Sequence, residues 1–139
     1  MGTDKNDLNL AKSFLERARE DLKSAEILLN AKQYSDSTFH SQQAAEKVAK
    51  ALLVLENMFV KEHIVSHILS ELNIEEKIVE SVKDLEEHWI KPRYPLIGRG
   101  IVWNPSKMYN RKIAEDALKK AKFVVEEISK ILKQRGVEV

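Results

Sequence analysis

Apolar residues recur along this chain at spacings of three and four, the period that gathers side chains on one face of an α-helix. Ala11, Leu15, Ala18, Leu22, Ala25 and Leu29 form one such stripe and predict a helix from about Leu8 to Asn30. The polar turn Lys32-Gln33-Tyr34-Ser35 ends it. Ser35 is the expected N-cap of a second helix, about Asp36 to Asn57, with Ala44, Ala45, Val48, Leu52 and Leu55 as its stripe. The small Ala44 and Ala45 suit a closely packed neighbour. A short helix is expected over about Ile64 to Leu72. Asn73 followed by Glu76 reads as a capping-box variant opening a further helix, which places Ile78, Val82, Leu85 and Trp89 on one face and stops at Lys91-Pro92. A last helix starts near Asn110, carries Ile113, Ala117, Ala121, Val124, Ile128 and Leu132, and ends at Gly136, suited to a C′ position. No segment sustains period-two alternation. The expected fold is therefore all-α: an up-and-down bundle of four long helices plus one short helix, with no strands.

The breaks in this pattern are concentrated. All three prolines (Pro92, Pro95, Pro105) and two of the four glycines (Gly98, Gly100) fall between positions 92 and 105. A loop is expected over about 91–109, a polar tail over about 1–7, and a single domain over 1–139. With 43% hydrophobic and 32% charged residues the chain has the balance of a globular protein. At 139 residues it has enough length for one core. The absence of cysteine excludes disulfides, thiolate nucleophiles and Cys-ligated zinc. No apolar run approaches a membrane span, and the N-terminus lacks the pattern of a signal peptide, so a cytoplasmic protein without membrane contact is expected.

Charge changes the picture only in its distribution. From His88 to Ala114 there is no Asp or Glu, while Lys91, Arg93, Arg99, Lys107, Arg111 and Lys112 give the segment +6 against +1 for the whole chain. Trp89, Tyr94, Trp103 and Tyr109 lie there too, four of the five Trp and Tyr residues. Cations attract phosphate and flat rings stack bases, so a nucleotide or nucleic acid is the ligand this segment suits. The alternative is structural: tryptophans plugging the core and cations paired with neighbouring carboxylates.

Among single residues, Arg93 is the leading candidate, because Pro92 and Pro95 restrict the backbone on both sides of Arg93-Tyr94. A stiff mount reduces the entropy lost when a side chain grips a ligand. The competing role is a structural arginine paired with a buried carboxylate. His67 is a candidate acid or base, or else a helix N-terminal residue bonded to backbone. His63 and His67 share a spacing of four but lack a third ligand, so no metal is expected, and no cofactor either. Glu46 and Lys50 form an i,i+4 pair, read first as a solvated helix face. His40 and His88 have no identifiable partner. No Walker loop, G-x-G-x-x-G or Ser/Thr-base constellation is present.

The run Phe39-His40-Ser41-Gln42-Gln43-Ala44-Ala45-Glu46-Lys47-Val48-Ala49-Lys50-Ala51-Leu52-Leu53 resembles the second helix of the HEPN domain. Ala18, Asp21-Leu22 and Ala25, then Val65-Ser66-His67-Ile68-Leu69, Arg93-Tyr94-Pro95, Tyr109 and Ala117 extend the likeness over roughly residues 10 to 133. The resemblance implies a helical bundle, a homodimer and a small nucleotidyltransferase partner, as in toxin–antitoxin pairs. It also implies that Glu46 orients Arg93 across a cleft while Lys50 adds positive field, with Gln43 and Lys47 in support. Lys91, Tyr94, Arg99, Lys107 and Tyr109 complete the expected nucleotide- or nucleic-acid-binding set. Ribonuclease branches of the family carry a His four to six residues after an Arg. No arginine here has one, and Leu96 follows the RYP segment where relatives commonly carry Asp. The expectation therefore leans to a binding module over an enzyme. The alternatives are a divergent metal-independent ribonuclease toxin, with Arg93, His67 or Tyr94 as its chemistry, and a structural adaptor for another protein.

Overall fold

A computed structural model describes residues 4–139. Its elements in chain order are α1 (Lys5–Asn30), α2 (Tyr34–Leu55), α3 (Ser66–Leu69), α4 (Glu76–Glu86), a 3-10 turn (Glu87–Trp89), β1 (Leu96–Gly98), β2 (Ile101–Trp103), α5 (Pro105–Met108) and α6 (Arg111–Gln134). The four long helices are those the apolar period predicts. The tail is shorter than expected: Asp4 caps α1 by accepting the Asp7 amide at 2.8 Å, and residues 1–3 lie outside the described residues.

The expectation of no strands is corrected. Leu96-Ile97-Gly98 pairs antiparallel with Ile101-Val102-Trp103, Ile97 opposite Val102. Arg99 and Gly100 both have positive φ (52° and 75°), as a two-residue type I′ turn requires. β-branched and aromatic residues beside a glycine turn suffice for a hairpin this short, although three residues are too few to display alternation.

Two caps are also corrected. Ser35 does not cap α2; Gln33 stands at that position with no side-chain bond. Asn73 does not open α4, which starts at Glu76 behind Glu75, again without a side-chain cap. In the first case the cause is how α1 ends. Lys32 adopts the left-handed conformation (φ 62°), its amide bonds the Leu29 carbonyl, and the Gln33 amide reaches the Leu28 carbonyl. This is a Schellman exit, and it sets α2 off immediately. Asn57 with Met58 ends α2 in the same way, and Gly136 with Val137 ends α6. Asn110 caps α6 as expected, accepting the Ile113 amide at 2.9 Å.

The main core joins α1 (Ala11, Leu15, Ala18), α2, α4 (Ile78, Val82, Leu85) and α6 (Ala117, Ala121, Val124, Ile128, Leu132). The α2 helix is central, touching α1, α4, α6 and the 3-10 turn. It is buried nearly all round, polar residues included: Ser37, Thr38, Ser41, Gln42, Glu46 and Lys50 are all enclosed. The Glu86 carboxylate supplies a long-range cap for the short α3, accepting the Val65 amide (2.7 Å), the Ser66 amide (3.0 Å) and the Ser66 hydroxyl.

Candidate functional site

Arg93 sits just past the 3-10 turn, where the chain leaves the bundle. Its Nε donates to the Trp89 carbonyl at 2.8 Å. Three rings surround its guanidinium carbon: Phe39 at 4.7 Å, Tyr94 at 5.2 Å and Trp89 at 5.6 Å. Electron-rich ring faces favour a cation there. Among the described residues its terminal nitrogens meet no carboxylate, so neither of the expected pairings, with a buried structural carboxylate or with Glu46, is formed. Glu46 is occupied from within. Its enclosed carboxylate accepts Lys50 Nζ at 3.1 Å, Gln42 Nε2 at 3.0 Å and His63 Nδ1 at 3.1 Å. The Glu46–Lys50 pair is thus an interior ion pair, correcting its reading as a solvated face; Lys50 also approaches the Lys61 carbonyl at 3.5 Å.

A second buried carboxylate lies across α2. Asp21 of α1 accepts His40 Nδ1 at 3.0 Å and Lys47 Nζ at short range. Burial alone would raise its carboxyl, but the hydrogen bonds and charges of His40 and Lys47 outweigh that and hold it below its ordinary value. Gln43, half-buried, donates to Gln42 Oε1 at 2.7 Å. The α2 helix therefore carries two adjoining polar tracks: His40, Gln43 and Lys47 beside Asp21, and Gln42, Glu46 and Lys50 beside His63. The His63 ring stacks on Trp89, centroids 4.3 Å apart and planes 21° apart.

The remaining predicted residues separate by exposure. Tyr94 is exposed beside Arg93. Lys91 stands 3.8 Å from Glu87, both exposed, and its ammonium lies 6.0 Å from the Trp103 ring. Arg99 caps the hairpin tip and Lys107 lies on α5; both are exposed, with no ion pair among the described residues. Tyr109, by contrast, is 6% exposed, so its ring is closed to a stacking base. Its hydroxyl bonds His88 Nδ1 at 2.7 Å. Burial raises that hydroxyl above its ordinary range and lowers the His88 imidazole. The tryptophans are half-buried, and Trp103 Nε1 donates to the Lys91 carbonyl at 2.7 Å, tying the hairpin to the loop. His67 is exposed and lines a separate groove with Ser66, Ser70, Glu76, Glu80 and Lys83, which includes neither Arg93 nor Tyr94.

Phe39, Asp21, His40 and His63 belong to this constellation and were not among the expected site residues. Asp21 had a signal: it stands three residues after Ala18 and four before Ala25, a charge on the core stripe of α1. The family model for the HEPN domain matches residues 11–132. MJ1304 of Methanocaldococcus jannaschii, named as a candidate toxin, is 39% identical, with 92% of this chain and 91% of that protein aligned. Among solved structures, TT1696 of Thermus thermophilus superposes with a TM-score of 0.76 at 29% identity, covering 88% of this chain and 98% of that one. ST0689, described as an archaeal HEPN homologue, superposes with a TM-score of 0.73 at 24% identity, covering 88% and 97%.

Proposed function

This chain belongs to the HEPN domain family, and from that premise we propose that it is a toxin-type HEPN module that grips the phosphate of a nucleotide or nucleic acid with Arg93. The carrying observation is the mount of that side chain. Its Nε is fixed to the Trp89 carbonyl, three rings surround the guanidinium, and among the described residues the outer nitrogens meet no carboxylate. A guanidinium held this way loses little entropy on binding, and its fork matches a phosphate bidentately. Tyr94 offers an exposed face for a base, while Lys91, Arg99 and Lys107 extend the positive field along the hairpin and α5. Lys50, Glu46, Lys47 and Gln43 support the site from inside. The relative named as a candidate toxin supports the toxin-type role. Family resemblance supports a homodimer and a small nucleotidyltransferase partner, and a chain free of cysteine suits a reducing cytoplasm; among the described residues no helix is long and apolar enough to cross a membrane.

The test is fluorescence anisotropy with labelled single-stranded RNA and with ATP over a salt series. Affinity falls as salt rises, with a slope near −0.7 per phosphate contact for a single strand. Arg93→Ala weakens binding by about 1–3 kcal/mol. Salt-independent binding, or none, refutes the proposal. A second reading, an adaptor that docks a protein on the hairpin, is favoured by the exposure of Ile97 (77%), Ile101 (72%) and Val102 (65%). Loss of a copurifying polypeptide in Ile97→Ser, with RNA affinity unchanged, would select it.

A further inference from the structure

The hairpin leaves its backbone open on both sides. Apart from the pairing of β1 with β2, no backbone-to-backbone hydrogen bond among the described residues involves positions 94–103. The two-residue turn makes Gly98 and Ile101 a hydrogen-bonded pair, and such pairs alternate along antiparallel strands. Ile97 and Val102 therefore oppose each other without bonds and turn their amides and carbonyls outward, one to each edge. The edges differ. Beyond Ile97 the next outward position is Pro95, which has no N–H and blunts the β1 side. Beyond Val102 it is Asn104, whose carbonyl is taken by the Lys107 and Met108 amides but whose own amide has no partner among the described residues. The β2 edge is the one able to pair.

Its side chains are equally open. Ile97 and Val102 share one face of the hairpin and are 77% and 65% exposed. Cations stand at both ends of β2: Arg99 in the turn before it, and Lys107 on α5 after it, neither with an ion pair among the described residues. No Asp or Glu occurs from His88 to Ala114. A second copy set hairpin to hairpin would bring two +6 segments together, which like charges oppose. A lipid surface would leave the edge amides and carbonyls without partners and would take the Arg99 charge in first. Phosphates suit the cations and give nothing to Ile97 or Val102.

We propose that β2 accepts an added strand from a partner protein: an extended segment with alternating apolar residues at its centre and acidic residues at its ends. Its backbone pairs with the outward N–H and C=O of Val102, its apolar side chains extend the Ile97–Val102 face, and its carboxylates meet Arg99 and Lys107. The inference rests on the second reading above, a protein docked on the hairpin, and is independent of the phosphate grip by Arg93.

The test selects a displayed library of random peptides on the full chain, with Val102→Pro as counter-target. That substitution removes the outward N–H and no bond of the hairpin; thermal melts check its fold. Enriched peptides are acidic and alternate Val, Ile or Thr. They bind Val102→Pro roughly 10-fold or more weakly, and Arg99→Gly/Lys107→Glu both weakens binding and flattens its salt dependence. N-methylation along a selected peptide gives a readout that leaves the protein untouched: alternate positions abolish binding and those between them do not, as a strand paired on one side requires. No enrichment, enrichment of basic or uncharged peptides, or loss at every methylated position overturns the proposal. So does a dimer, vesicle or RNA complex of wild type that Val102→Pro disrupts, each naming a different occupant. A polypeptide that copurifies with wild type and with Val102→Pro but not with Ile97→Ser overturns strand addition and keeps the docking reading. One that stays with all three removes that reading as well.

Discussion

Replacing Glu46 by alanine should be among the most damaging single changes in this chain, and the reason is what it leaves behind. The Lys50 side chain is 8% exposed, so its ammonium gains almost no hydration once its partner is gone. Its other contact is the Lys61 carbonyl at 3.5 Å, the outer limit of a hydrogen bond. Removing one member of a buried ion pair costs about 3–5 kcal/mol. For a domain of this length that is a fall in melting temperature of roughly 10–20 °C. The reverse deletion, Lys50→Met, should cost less, about 1–2 kcal/mol, because Glu46 keeps its bonds from Gln42 and His63. The double variant Glu46→Met/Lys50→Met should recover most of the loss, since apolar residues of similar volume often replace a buried pair at little cost. The assay is urea denaturation near neutral pH followed by circular dichroism, with Glu46→Met, Lys50→Met and their double analysed as a thermodynamic cycle and Glu46→Ala measured beside them. A Glu46→Ala cost below about 1 kcal/mol, or a double variant as unstable as the sum of its singles, would refute the claim that Lys50 depends on Glu46.

Three further outcomes follow from the same geometry. His88 is held neutral, with its folded pKa below its ordinary 6.5, so its stabilising contribution is present above that value and is lost as pH falls through the folded pKa; melts across this range should show the loss, and Tyr109→Phe should alter it by removing the bond to Nδ1. Asp21 is likewise depressed below its ordinary 3.8, so a second loss should begin under about pH 4 and be absent in Asp21→Asn, which starts from lower stability. Arg99 holds a left-handed φ of 52° that costs a side chain roughly 1–2 kcal/mol, so Arg99→Gly should slow hydrogen exchange of the hairpin amides and lower RNA affinity only by one screened contact.

The helices were legible because their apolar stripes face a shared core, and periodicity reports that directly. Asn110 and Gly136 marked the ends of α6 because capping and left-handed geometry are local. Ser35 failed for a reason outside its own neighbourhood: Lys32 turns the chain so sharply that α2 has begun before Ser35 is reached. The hairpin was hidden by its brevity. Arg93 could be singled out from its flanking prolines, but its cage could not, since Phe39 lies 54 positions away. The partners of His40 and His88 were unreadable for the same reason, being long-range: Asp21 and Tyr109. The Glu46–Lys50 pair shows a different gap. Its i,i+4 spacing is identical on a wet or a dry face, and only the number of elements packed around α2 decides which.

That enclosure of α2 also decides where the chain can change length. Deleting one residue from the middle of α2 would turn everything beyond it by about 100°, carrying Glu46 or Lys50 out of register and exposing part of the core in the same stroke. At Arg99-Gly100 no such coupling exists, because the turn projects from the bundle and a methyl group placed on the neighbouring Gly98 meets nothing within 4 Å. A fluorophore, an affinity handle or a natural insertion therefore belongs at that tip, where added residues leave the interior undisturbed.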